Sequence, residues 1–361
     1  MPLPRYVLKY RPEDFCVTEV SRPVGGQGPW AYAHLEKCGI TTFEALARVA
    51  EHLGLAEEQA CAGGLKDEDG VTRQSVSLRG GRLEPLDLDL GEGRWLRLGE
   101  PYGWSDRPLA KGALIGNDFR LVIRRLPKKL VRRLCVRGGT RGQFRHFVAN
   151  YFDRQRFGVP GSDYRTAEVG AAVLAGDLSR AGAVLYKDSV LALSRGGLVP
   201  QEQCRFVASV DEGRDMVAAF EEISPRLRRL FLAAHYAREW NHVLSLAVSA
   251  TGEGVRLHSK GHPLDSCLGL ASRTALTHLP AALPLQEPEG DAEGAARGGR
   301  RETWRPTVQA VKFFVLDHGP DPFFPGNEQL TVFFHLPSGS YATTAVHQVL
   351  VDAAGSSGAR R

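Results

Sequence analysis

Apolar and polar positions alternate in short runs toward both ends of the chain and recur at helical spacing in its middle. Over residues 74–78, Val76 and Leu78 alternate with Ser75 and Ser77, the pattern of a half-buried strand. Phe119, Leu121 and Ile123 face one way and Arg120, Val122 and Arg124 the other, which puts two arginines on the more exposed side of a second strand. Further extended runs are expected on either side of Arg11-Pro12-Glu13-Asp14 and at 30–35, 95–98, 311–316 and 329–336. Thr41 and Glu44 form a capping box, with Phe43, Leu46, Ala47, Ala50 and Leu53 as the apolar helix face and Gly54 as the stop. A basic helix is predicted from Pro127 to the glycines at 138 and 139, followed by a second helical piece through Phe144 to Phe152. Alanine-rich helices follow Gly158. The longest, Arg226 to Leu246, carries Leu227, Leu230, Phe231, Ala234, Ala237, Trp240, Asn241 and Leu244 as core. A last helix opens after Pro337 and ends near Ala353, before a Gly/Ser tail expected to be disordered. Strand-rich ends around a helix-rich middle predict an α+β fold in which one domain interrupts another.

Composition adds limits. The chain has 361 residues, a net charge of +5 and no apolar run of membrane-spanning length, and its N-terminus lacks a signal-peptide core, so a cytoplasmic protein with no membrane association is expected. Six scattered cysteines (16, 38, 61, 135, 204 and 267) form no CxxC pair and read as small buried hydrophobes, neither disulfides nor zinc ligands. Between Asp118 and Gly158, Arg120, Arg124, Arg125, Lys128, Lys129, Arg132, Arg133, Arg137, Arg141, Arg145, Arg154 and Arg156 face only two acids. Such a density suits phosphate neutralisation as well as it suits a solvated helix. Residues 287–301 are a low-complexity run expected to be a mobile loop.

Candidate chemistry concentrates in Gly64-Leu65-Lys66-Asp67-Glu68-Asp69-Gly70-Val71-Thr72-Arg73-Gln74, a carboxylate-bearing turn that leads into the 74–78 strand. Loops at strand ends commonly carry catalytic groups. On this ground alone Asp67 is one acid among three.

The stretch resembles the signature AGxKDxxAxTxQ of the TruD-type transfer-RNA pseudouridine synthases, and four more stretches match that family in order. They are Lys9-Tyr10-Arg11-Pro12-Glu13-Asp14-Phe15, Gly116-Asn117-Asp118-Phe119, Asn150 to Gly158 (NYFDRQRFG), and Leu336 to Thr343 (LPSGSYAT). The resemblance implies the pseudouridine synthase fold, a mixed, largely antiparallel sheet flanked by helices, with an inserted helix-rich TRUD-type domain. The catalytic domain is expected at 1–158 and 303–361 and the insertion at 159–302, with the RNA track in the cleft between them, along the 118–158 basic stretch. It also implies an enzyme that isomerises uridine to pseudouridine in tRNA, at position 13 of the D arm in the family's usual case.

The family's catalytic aspartate maps onto Asp67, which attacks carbon or deprotonates ribose C2′; the residues do not choose between these routes. A carboxylate that must stay charged in a pocket closed around a base needs a cation beside it, and the family's lysine maps onto Lys9. Lys66 is adjacent in sequence, but neighbouring side chains on extended backbone point apart. A flipped-out base needs replacement stacking, for which the resemblance nominates Phe15, Phe119 and Tyr341, while Asn117 binds the base or positions the loop. Asn150, Gln155 and Arg156 are expected at the domain junction or on the RNA backbone. Gly63, Gly70 and Asp153 depart from the family pattern, the glycines loosening the loop and Asp153 adding charge at a tight spot. Glu68 and Asp69 read as solvated turn acids. No metal, nucleotide or organic cofactor is implied, and no obligatory protein partner. A catalytically inactive RNA-binding protein or tRNA chaperone on the same fold is the alternative, and an aspartate-dependent hydrolase of small substrates a weaker third reading.

Overall fold

A computed structural model describes residues 5–22, 25–80, 83–109, 113–250, 255–256, 269–270, 276, 279–288 and 300–355. Cys267, most of the low-complexity run and the C-terminal tail lie outside the described residues. The chain divides into two compact units, one of Met1–His146, Ala310–Ala342 and Val349–Arg361, the other of Phe147–Gln309 and Thr343–Gln348.

Alternating apolar positions build the first unit. Among the described residues its strands belong to an eleven-stranded sheet: β1 (Phe15–Ser21), β2 (Trp30–Cys38), β3 (Ala60–Ala62), β4 (Val71–Arg79), β5 (Leu86–Gly91), β6 (Arg94–Leu98), β7 (Gly103–Ser105), β8 (Leu114–Leu126), β9 (Gln143–Ala149), β14 (Val308–Pro320) and β15 (Glu328–Pro337). The order is β5-β6-β2-β4-β1-β8-β15-β14-β9, with β3 on β4 and β7 on β2. β1 and β4 run parallel, whereas β1–β8, β8–β15 and β2–β4 are antiparallel. The fold is α+β, as the hydrophobic pattern predicts, with the mixed, largely antiparallel sheet that the resemblance implies.

Helix α1 (Thr42–Leu53) covers the β2–β4 region, where Ala45, Val49 and Ala50 pack with Ala33, Leu35, Val76, Leu78, Leu96 and Leu98. Thr41 caps it by accepting from the Glu44 N–H at 3.1 Å, and Gly54 ends it in the left-handed conformation. The buried face differs from the expected one: Thr42 lies inside and Phe43 is exposed. Ser75 and Ser77 are buried as well, because β4 is central and covered on both faces; Ser75 bonds Ser21 and Tyr102 (both 2.9 Å), and the Ser77 Oγ accepts from Leu109 N (2.8 Å). Helix α2 (Lys128–Gly138) forms after Pro127, but the expected helix at 144–152 is strand β9, with Phe144, His146 and Val148 buried in alternation.

Arg124 is the largest correction. Expected on an exposed face, it is 2% exposed and forked onto Asp14, with Nε and Nη2 each 2.6 Å from a carboxylate oxygen. Asp321 (3.5 Å) and Gln329 (2.7 Å) take its remaining nitrogen. Full pairing makes a buried guanidinium tolerable, and the Asp14 hydrogen bonds hold its pKa above the ordinary value. A cavity of about 270 Å³ lined by Arg11, Arg120 and this pair opens beside it.

The second unit is helical at its centre. Helices α3 (Thr166–Leu174), α4 (Leu178–Ser194), α5 (Gln201–Asp211), α6 (Met216–Glu221) and α7 (Pro225–Ala250) share a core that includes Val169, Leu185, Phe206, Phe220 and Phe231. On α7, Leu230 is exposed and the other expected core positions are buried. Asn241 is a buried clamp, bonding Phe152 N and O at 2.8 and 2.9 Å. The ends of the low-complexity run pair as an antiparallel ribbon, β12 (Ala282–Pro288) with β13 (Arg300–Pro306). Two further short strands, β10 (Val255–Arg256) and β11 (Gly269–Leu270), also pair, and α8 (Ala342–Gly355) closes the order of elements. Of the described cysteines only Cys38 is buried, the other four being half-buried thiols. No described helix is long and apolar enough to cross a membrane.

Candidate active site

Parallel pairing sets the site. Cys16 lies opposite Val71, so the entries of β1 and β4 run side by side, bringing Phe15 against the loop that carries Asp67. The approach is tight: a Cβ at Gly70 would stand 2.5 Å from the Phe15 carbonyl oxygen. Glycine here permits contact and does not loosen the loop.

Lys9 Nζ lies 3.0 Å from Asp67 Oδ2, with side chains 23% and 32% exposed. Lys9 has φ of 57°, uncommon for a residue with a Cβ, and its ammonium stands 4.4 Å above the centre of the Phe15 ring. Phe15 meets Phe119 edge-on at 6.2 Å, and Phe119 stacks on Phe334 at 5.4 Å. Both Phe15 and Phe119 are buried, so they floor the site behind the Lys9–Asp67 pair.

Register adds Asn117. It pairs with Glu19 on β1 and with Leu336 on β15, two residues along from Phe119 and therefore on the same face of the sheet. Its Oδ1 is buried without a hydrogen-bond partner, an acceptor awaiting a donor. Tyr341 follows Pro337, which pairs with Gly116, and is half-buried at the entrance to α8. Lys9, Asp67, Phe15 and Phe119 thus touch in a chain, while Asn117 joins through register and Tyr341 through its place in the sequence.

Sequence reasoning missed what holds the loop. Lys66 forms a sealed pair with Glu19, Nζ to Oε2 2.6 Å, the side chains 6% and 1% exposed. Lys66 N donates to Thr42 Oγ1 (3.0 Å), Thr42 Oγ1 donates to Gln74 Oε1 (3.1 Å), and Gln74 Nε2 donates to Gly64 O (3.0 Å). Lys37 is fully buried on β2, its ammonium donating to Ile40 O (2.7 Å) and Asp67 O (2.8 Å), with Lys66 O at 3.5 Å. Burial pushes its pKa down to about 8, against the opposing charges of Asp67 and Glu68. The available signal was a lysine in phase with Ala31, Ala33 and Leu35 on an otherwise apolar strand face.

Glu68 also differs from expectation. It is half-buried, its carbonyl accepts from Gly39 N (3.1 Å), and burial together with the charge of Asp69 raises its pKa. Asp69 is exposed. In the second unit, Asn150 serves the local architecture: its carbonyl and side-chain oxygens accept from Arg305 (2.9–3.1 Å) and its Nδ2 donates to Pro306 O (3.0 Å). Asp153 accepts a hydrogen bond from Thr343, which gives its extra carboxylate a partner. Gln155 is exposed, and Arg156 lies 5.7 Å from the centre of the Phe152 ring. Among the described residues no group of three or more His, Cys, Asp or Glu side chains could hold a metal ion.

The family model described as tRNA pseudouridine synthase D (TruD) matches residues 5–192, more than half of the chain. The chain belongs to the TruD family of tRNA pseudouridine synthases. TruD relatives include a tRNA pseudouridine synthase D of Anaeromyxobacter sp. (strain Fw109-5), 30% identical over alignments covering 95% of this chain and 92% of that protein. Another, from Geotalea daltonii, is 29% identical over 95% of this chain and 96% of its own length. The crystal structure of a TruD-type protein from Methanosarcina mazei superposes with a TM-score of 0.57 over 97% of this chain and 94% of that one. At 19% identity that likeness speaks for the fold alone. TruD membership makes this chain a tRNA pseudouridine synthase; Lys9, Phe15, Asp67, Asn117 and Phe119 lie inside the matched span, and Tyr341 and Phe334 lie beyond it.

Proposed function

We propose that this TruD-family enzyme isomerises a uridine of the tRNA D arm, position 13, with Asp67 as the group that acts on the ribose. The bond from C1′ to N1 breaks, the base turns, C5 bonds to C1′, the C5 proton leaves and N1 gains one. Asp67 serves this either by attack at C1′ or by removing the C2′ proton, and Lys9 stabilises its charge.

The observation that carries the reading is the 3.0 Å Lys9–Asp67 pair on its aromatic floor, open enough to be reached. Asn117 Oδ1 supplies an acceptor suited to an N–H of the flipped base. Tyr341 is the stacking face of the set, with Phe15 and Phe119 packing beneath. RNA backbone is held by exposed cations of the first unit: Arg120, Lys128, Lys129, Arg132, Arg141 and Arg145. Arg124 is withdrawn from that group by burial, and Arg137 by its 2.7 Å contact with Asp352.

Incubation with transcribed tRNA followed by mapping of pseudouridine tests the proposal. Product at position 13 that vanishes with Asp67→Asn, while tRNA still binds, is the expected result. An unmodified tRNA that binds tightly would favour the chaperone reading, and normal product from the variant would remove Asp67 from the chemistry.

A further inference from the structure

We infer that Lys37 is a positioning residue for catalysis: its buried ammonium, by gripping the Asp67 and Ile40 carbonyl oxygens, sets the backbone from which the Asp67 carboxylate faces Lys9. The inference rests on Asp67 being the catalytic carboxylate.

Lys37 reaches Asp67 from behind. The 2.8 Å bond ends on the backbone oxygen of Asp67 itself, and the 2.7 Å bond to Ile40 ties the same ammonium to the turn between β2 and α1. The adjoining contact from Gly39 N to Glu68 O (3.1 Å) runs between the same two segments. The peptide of Asp67 is therefore clamped to β2 at a site with no solvent access. A neutral polar side chain would satisfy these carbonyls with less desolvation cost, so a lysine here is a poor choice for stability alone. Its value lies in the fixed orientation and the positive charge beneath the loop, since misplacing a catalytic group by about 1 Å can cost about 100-fold in rate. The charged and titratable groups around Lys37 are Lys66, Asp67 and Glu68 from the loop and Cys38 from its own strand, and they leave its pKa at about 8.

The test compares wild type, Lys37→Met and Asp67→Asn by single-turnover pseudouridine formation, tRNA binding and thermal unfolding. Lys37→Met is expected to fold with a melting temperature within about 4 °C of wild type, to bind tRNA within about 3-fold and to form product about 100-fold more slowly. A rate within about 3-fold of wild type, or a rate loss matched by loss of binding, overturns the inference. If Lys37→Met does not fold, Lys37→Gln, uncharged and one atom shorter, is measured in its place, with the same expected loss of rate at retained tRNA binding. A Lys37→Gln rate within about 3-fold of wild type then overturns the inference. Asp67→Asn separates the two assignments. Full activity in that variant defeats the reading of Asp67, whereas an inactive Asp67→Asn beside an active Lys37→Met defeats only the role of Lys37.

Discussion

Two lysine–carboxylate pairs meet at consecutive residues of one loop, and they differ in almost everything except their chemistry. Lys66 and Glu19 are 2.6 Å apart and sealed from solvent, whereas Lys9 and Asp67 are 3.0 Å apart and each about a quarter to a third exposed. In the sealed pair Glu19 Oε1 also accepts from Ser75 N (3.3 Å). The open pair combines a left-handed backbone at Lys9, an aromatic floor and a nearby unpartnered acceptor. Buried charge held in a close ion pair builds a scaffold; charge left reachable on that scaffold is available for a substrate. Substitution should therefore split the pairs into one whose loss is read in rate and one whose loss is read in stability.

Asp67→Asn carries the largest expected effect. With Asp67 as the proposed group that attacks or deprotonates the ribose, its replacement should lower single-turnover product formation by about four orders of magnitude or more, with little change in thermal unfolding. Comparable turnover by the variant would erase the distinction between the pairs.

Glu19→Gln comes next and should act in the opposite register. It strands the Lys66 ammonium in a site with almost no water, and removing one member of a buried pair costs about 3 to 5 kcal/mol. Urea unfolding reads this directly. Unchanged stability would mean that the sealed pair is not what anchors the loop.

The position of Lys37 predicts a third effect, smaller and pH-dependent. Its folded-state pKa of about 8 lies below the ordinary 10.5, so the folded protein releases its proton first. Between those values the unfolded chain holds more protons, and the Lys37 contribution to stability rises with pH, by about 3 kcal/mol at most. Below about pH 8 the lysine is charged in both states and the burial cost is fully present. Urea unfolding of wild type and Lys37→Met at several pH values between 8 and 10.5 should show wild type gaining on the variant as pH rises. A constant difference would contradict the assigned burial cost.

Much of this architecture was legible in the order of apolar residues, and the failures have physical causes. Alternation located β8, β14 and β15, and the Thr41 and Gly54 caps bounded α1. Strand β9 was misread as helix because Phe144 and Val148 also fit helical spacing and the buried residue between them is a histidine. Helix α1 was turned by one position because Thr42, polar in sequence, is drawn inside as the hydrogen-bond link between Lys66 and Gln74, which leaves Phe43 outside. Arg124 defeated the reading of β8 since its partners, Asp14 and Asp321, are brought together only by the fold. At the site, the signature stretch brought forward Asp67, and the resemblance over Lys9–Phe15 brought forward Lys9. The residues behind the loop stayed hidden because local sequence treats a lysine or glutamate as surface until a partner from another strand is known. Of these departures, those at Thr42, Lys37, Lys66 and Glu19 surround the loop that carries Asp67.

Lys9→Met makes the finest cut through the comparison, since its two readouts should separate. An ion pair this exposed contributes about 1 kcal/mol or less to folding, so thermal unfolding should barely move. The ammonium also faces the aromatic ring of Phe15 and the carboxylate that must stay charged when a base closes the pocket, where solvent screening is lost. Product formation should consequently fall by about 100-fold, near the lower end of what removal of one electrostatic contact in an active site costs. The double variant Lys9→Met with Asp67→Asn should be no slower than Asp67→Asn alone, because the lysine acts through the aspartate. Additive losses in that cycle would give Lys9 a separate contact with the RNA, and a stability loss as large as that of Glu19→Gln would make the open pair structural too.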